Sequence, residues 1–186
     1  YSTSKINPIC NPECRDEGML VNLQNYIDQQ NGKDVLIVLH TMGSHGPAYY
    51  KRYPENFEVF KPICETNQLN ECRDTEIRNA YDNTILYTDY VLSQVIGLLK
   101  RNSQFSDTAM FYVSDHGESL GESGLYLHGM PYFMAPDEQI DVAAFMWLDD
   151  SMSRVFDKNI IRENAELPQT HDSLFHTLLG LMDVET

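Results

Sequence analysis

Apolar residues recur at helical spacing at Met19, Leu20, Leu23, Tyr26 and Ile27, and Asn31-Gly32 follows as a stop signal, which predicts a first helix. The run DVLIVLH from Asp34 to His40 shows no alternation, the pattern of a strand buried on both faces. It opens into TMGSHGPAYYKRYP, a loop dense in glycine, proline and aromatics. From Asp74, read as an N-cap, to about Arg101 the chain reads as one long amphipathic helix. Ile77, Tyr81, Ile85, Thr88, Val91, Leu92, Val95 and Leu99 mark its apolar stripe. DTAMFYVS predicts a second buried strand, IDVAAFMWL a third, and a last helix runs from about Asp172 to Met182. Strands alternating with helices imply an α/β domain, with a mostly parallel central sheet and helices on both faces. No internal repeat or low-complexity tract interrupts that order.

In such sheets ligands gather at the carboxyl ends of the strands. His45 and the Asp115-His116 pair each follow a predicted strand end, and His128 lies in the loop beyond the second. Neighbouring residues on a strand face opposite ways, so Asp115 and His116 can converge only where the strand stops. Three of the six histidines sit before glycine, as SHG, DHG and LHG, which lets the backbone turn and a ligand come close. Asp115 and His116 offer one oxygen and one nitrogen ligand, a set suited to zinc. The plainer alternative is that Asp115 caps a turn and His116 packs as a satisfied polar residue. Glu118 lies near enough to fix an imidazole tautomer, though an exposed or structural carboxylate is the simpler reading. His40 reads as a core histidine ahead of a supporting partner, and His171 and His176 as surface or packing residues. The MPYFM segment could form an apolar lip for lipid chains or could pack as an ordinary loop.

Composition narrows the partners. At 186 residues the chain is one domain's worth, and its 42% apolar content is that of a globular protein. Twenty-eight acids against 13 bases leave a formal charge of −15. That argues against nucleic acid and against a broad electrostatic grip on an anionic membrane. No apolar run approaches a spanning helix, and a chain opening YSTSKINP reads as a piece of something longer. Cys10 and Cys14 frame a short turn, and Cys64 and Cys72 frame a polar loop. Two local pairs of this kind read as disulfide staples in an oxidising compartment, with thiol ligation the alternative. Neither spacing is that of a zinc ribbon. For a bacterial chain the compartment would be the periplasm.

Three segments carry a more specific likeness. VLHTMGSHGPAYYKRYP, AYDNTILYTDYV and SDHGESLGESGLYLHGMPY resemble the signature segments of the lipid A phosphoethanolamine transferases. That family includes the mobile colistin-resistance enzymes and belongs to the alkaline phosphatase and sulfatase superfamily. The resemblance implies an alkaline phosphatase/sulfatase-like fold, with Asp115 and His116 as zinc ligands. His45 and His128 would line the phosphoethanolamine pocket, with a second zinc there left open. It also implies the pairings Cys64–Cys72 and Cys10–Cys14, and a nucleophilic threonine and a glutamate ligand upstream of this chain. Residues 1–186 would then be part of a periplasmic catalytic domain, monomeric, whose full-length form is anchored in the inner membrane. The expected donor is phosphatidylethanolamine and the acceptor lipid A. Two other readings stand beside it: a superfamily phosphoglycerol transferase or sulfatase, and a zinc-binding fragment that is catalytically incomplete.

Overall fold

The 29-residue helix α2 (Asp74–Asn102) organises the molecule. At its start the Glu76 carboxylate reaches back and accepts from the Arg73 backbone N–H at 2.9 Å and from its guanidinium at 2.6 Å. Asp74 is therefore the first helical residue rather than the cap. Its buried face carries Ile77, Ala80, Asn83, Thr84, Tyr87, Val91 and Leu98. That face is rotated from the expected stripe, and Ile85 is exposed. Two polar residues explain the rotation, because they are satisfied inside the fold. Asn83 accepts from the N–H groups of Val59 and Phe60 and donates to the Phe60 carbonyl. Thr84 donates to the Tyr81 carbonyl and lies 2.7 Å from the Ser44 hydroxyl. A buried polar group costs little once it is hydrogen-bonded, so residue polarity alone misplaces the face.

The computed structural model describes residues 7–10 and 12–184. The opening YSTSKI and Asn11, in the spacer of the first cysteine pair, lie outside them. The expected first helix is shorter, with a 3₁₀ turn over Asp16–Leu20 and then α1 (Leu23–Asp28). Asn22 between them has φ 63°, a left-handed conformation that a helix cannot continue through. Residues 34–40 form no regular element and join neither ladder among the described residues. Leu36 and Val38 are exposed there, so this segment is not the doubly buried strand its composition predicts.

β1 (Ala109–Val113) pairs with β4 (Ala144–Leu148) in antiparallel register, Ala109 opposite Leu148 and Val113 opposite Ala144. A short hairpin, β2 (Ser119–Leu120) and β3 (Tyr126–Leu127), makes the second ladder. Both ladders are antiparallel, where alternating strands and helices suggested mainly parallel ones. An unbroken apolar run says nothing about direction, and it does not give full burial here either: β1 is mostly half-buried, and β4 begins exposed at Ala144 and Phe145. Between the ladders lies α3 (Asp137–Ile140), and after them come α4 (Lys158–Ala165) and α5 (Ser173–Leu181). The last matches the expected terminal helix; α4, begun by Asp157 accepting from the Asn159 N–H, has no sequence forecast.

The four cysteines form the disulfides Cys10–Cys14 and Cys64–Cys72. The second belongs to the core: Cys64 packs with Tyr49, Leu69, Ile77, Ala80 and Leu120. This cluster joins the Gly-rich loop, the face of α2 and the β2–β3 hairpin behind the predicted site. No helix among the described residues is long and apolar enough to cross a membrane.

Candidate metal centre

Three loops bring His45, His116 and His128 together. One nitrogen from each lies within 4.8 Å of the others. The His116 and His128 rings stack with centroids 3.7 Å apart, and His45 meets them edge-on at 5.9 and 5.0 Å.

Each loop is held by a different part of the fold. The first is fixed at three points. Buried Asp16 accepts from the Met42 and Gly43 N–H groups, both at 2.9 Å. Thr84 meets Ser44, and Glu118 accepts from the Gly46 N–H at 3.0 Å. Gly46 has no space for a side chain, since a Cβ there would lie 2.5 Å from Leu127 Cδ2. The second loop leaves β1 at Val113 and turns at His116, where Ser114 donates to the His116 carbonyl. Gly117 then donates to the Gln139 carbonyl, and a Cβ on it would meet the Glu138 carbonyl oxygen at 2.1 Å. Only glycine permits that contact. The third loop is the far end of the hairpin. Ser119 pairs with Leu127, so Glu118 and His128 come next to each other just beyond the ladder.

Glu118 is therefore neither exposed nor incidental. It is 8% exposed, its Oε1 lies 3.2 Å from His128 Nδ1, and its Oε2 accepts from the Tyr49 hydroxyl at 3.0 Å. Burial, then the charge of Glu118 and the hydrogen bond to it, push the Tyr49 phenol far up, so it stays a neutral donor. His128 thus donates through Nδ1 to a carboxylate. His45 and His116 meet backbone acceptors with theirs, Gly46 O at 2.7 Å and Gly117 O at 3.0 Å. With the proton on Nδ1, Nε2 of all three rings keeps its lone pair for a metal ion or a ligand proton.

Asp115 stands apart. Its side chain is 76% exposed, accepts from the His116 N–H at 3.1 Å, and reaches 3.8 Å from His116 Nε2. It borders the cluster without joining the three-histidine group. The other three histidines stay out of it as well: His40 is exposed rather than in the core as its strand pattern suggests, His171 donates to the Ser114 carbonyl at 2.9 Å, and His176 packs edge-on against Phe175. Sequence reasoning missed Asp16, whose partners lie 26 and 27 residues away. It also undervalued Glu118, although DHGE already sets that carboxylate two residues from a candidate ligand.

The set of imidazole nitrogens with an adjacent carboxylate fits a zinc ion by ligand type. A family model described as Sulfatase matches residues 1–184. The chain is 49% identical over 188 residues to the phosphatidylethanolamine transferase Mcr-1 of Escherichia coli, covering 99% of this chain and 34% of that protein. To the phosphoethanolamine transferase EptA of Escherichia coli K12 it is 46% identical over 179 residues, covering 95% of this chain and 32% of EptA. It therefore spans about a third of the length of these curated relatives. Among solved structures, the soluble domain of lipooligosaccharide phosphoethanolamine transferase A from Neisseria meningitidis superimposes with a TM-score of 0.90 at 41% identity. That match covers 98% of this chain and 56% of that one.

Proposed function

The chain belongs to the sulfatase family, and from that premise we propose that it forms part of a zinc-dependent, periplasmic phosphoethanolamine transferase. The donor is phosphatidylethanolamine, the acceptor a lipid A phosphate, and the full polypeptide is held at the inner membrane. The observation that carries this reading is the convergence of His45, His116 and His128 beside Asp115. Its relatives named as phosphatidylethanolamine and phosphoethanolamine transferases suggest the reaction class.

In this proposal Asp115 and His116 would hold the zinc, with His45 and His128 facing the phosphoryl group. When bound there, zinc would supply Lewis-acid neutralisation of the phosphoryl oxygens and a lower pKa for the attacking hydroxyl. That hydroxyl belongs to a threonine outside this chain. Its oxygen bonds to phosphorus, the bond to the diacylglycerol oxygen breaks, and diacylglycerol leaves with a proton. A lipid A phosphate oxygen then bonds to the phosphorus of the phosphoethanolamine-threonine, the bond to the threonine oxygen breaks, and the threonine takes up the proton that the attacking phosphate gives up. Glu118 orients His128 through Nδ1, so that the lone pair on Nε2 faces the reacting group, takes up the proton of the attacking hydroxyl and passes it to the departing diacylglycerol alkoxide. Asp16, Thr84 and Glu118 hold the His45 loop and preset its ring position.

The product carries an ethanolamine cation on a lipid A phosphate, which lowers its attraction for cationic polymyxins such as colistin. The test is transfer from head-group-labelled phosphatidylethanolamine by the full polypeptide, with lipid A and water as competing acceptors. Label on lipid A is expected. Label released only as free phosphoethanolamine would make the protein a hydrolase and overturn the proposal.

A further inference from the structure

Leu125 to Pro136, LYLHGMPYFMAP, contains no Asp, Glu, Lys or Arg, in a chain where 22% of residues are charged. Tyr132, Phe133 and Met134 in its middle are 79%, 84% and 58% exposed. Single exposed apolar residues are ordinary, but three consecutive large ones form a patch that calls for a partner. Their backbone is tied down: Met134 and Ala135 both donate to the Pro131 carbonyl, at 2.8 and 2.9 Å. Behind them Met130 donates to Gln139 Oε1, and buried Gln139 donates to Ser119. The fold thus holds the patch out in water instead of folding it away.

We propose that this tip is a membrane-docking element that enters the interfacial zone of a bilayer of zwitterionic lipid. The inference rests on the reading of the site as one that takes its phosphoryl group from a lipid. Phe133 is five residues from His128, a reach of at most about 18 Å. An apolar tip buried roughly 5–10 Å below the head groups would hold the histidine cluster near head-group level, where the phosphodiester lies. Tyrosine suits that boundary, with an apolar ring and a polar end. Charge selects the surface. The chain carries −15, and exposed Asp137 and Glu138 follow the tip, so an anionic surface is disfavoured.

The experiment places Phe133→Trp in the full polypeptide with vesicles of phosphatidylethanolamine and phosphatidylcholine, some lipids bearing a doxyl quencher high on the acyl chain. The unsubstituted polypeptide gives the baseline. The added emission should shift to the blue and be quenched by the labelled lipid. In Tyr132→Ser/Phe133→Ser, the ratio of transfer from a long-chain donor in vesicles to transfer from a water-soluble short-chain donor should fall about tenfold. Absence of lipid quenching, including the case where another protein surface covers the tip, overturns the inference; so does an unchanged ratio. If the unsubstituted protein transfers from neither donor, the reaction is misread, and quenching still decides the docking question.

Discussion

Glu118 and Asp115 lie three residues apart in SDHGES, and their surroundings are opposite. Every oxygen of Glu118 is engaged from within the chain, by Gly46, His128 and Tyr49. Asp115 faces water with one short backbone contact. A carboxylate engaged on both oxygens is finished as a structural part. One left open beside an imidazole is free to take the zinc ion of the proposed function. On that proposal, the pair separates the machinery that shapes this site from the groups that act in it.

The sharpest way to break that distinction is to truncate each side. Glu118→Ala leaves the Gly46 N–H and the Tyr49 hydroxyl without an acceptor and should destabilise the fold by about 3 kcal/mol in urea unfolding. Transfer activity should fall with it, as His128 loses its orienting partner. Gly117→Ala comes next. Its Cβ would strike the Glu138 carbonyl, a backbone atom that cannot rotate aside, so a loss of about 2 kcal/mol is expected. Tyr49→Phe removes one donor to Glu118 and should cost about 1 kcal/mol, with His128 still in place.

The smallest effect is expected far from the site. Hydrogen bonds from Arg73 hold the half-buried Glu76 carboxyl below its ordinary value of 4.5. A carboxyl lowered in the folded state stabilises above its unfolded pKa, and that contribution disappears as pH falls through the lower folded value. Glu76→Gln should therefore be slightly less stable than the parent at neutral pH and indistinguishable from it in acid. A difference that persists in acid would place its origin in helix packing.

Much of this is legible in the sequence alone. The long helix, the strands at Ala109–Val113 and Ala144–Leu148, the terminal helix and both cysteine pairs follow from local pattern. So does the family, carried by three segments whose likeness agrees with the sulfatase model and the transferase relatives. Strand direction and the fate of residues 34–40 were not legible, because an apolar run does not name its neighbour. The buried face of α2 was misjudged since Asn83 and Thr84 are polar yet satisfied by partners from residues 44–60. Asp16 and Tyr49 support the site through contacts 26 to 69 residues distant, which no local pattern encodes. The three histidines announced themselves through the glycines that follow them.

On the proposed function, Asp115 is kept for a ligand and Glu118 for the fold. This division of roles is tested most directly by the zinc affinity of the full polypeptide and of its Asp115→Asn variant, measured by chelator competition, with urea unfolding of the metal-free forms alongside. An affinity loss of about 100-fold or more is expected, with a change in metal-free stability within about 0.5 kcal/mol. Unchanged zinc affinity in Asp115→Asn would contradict it.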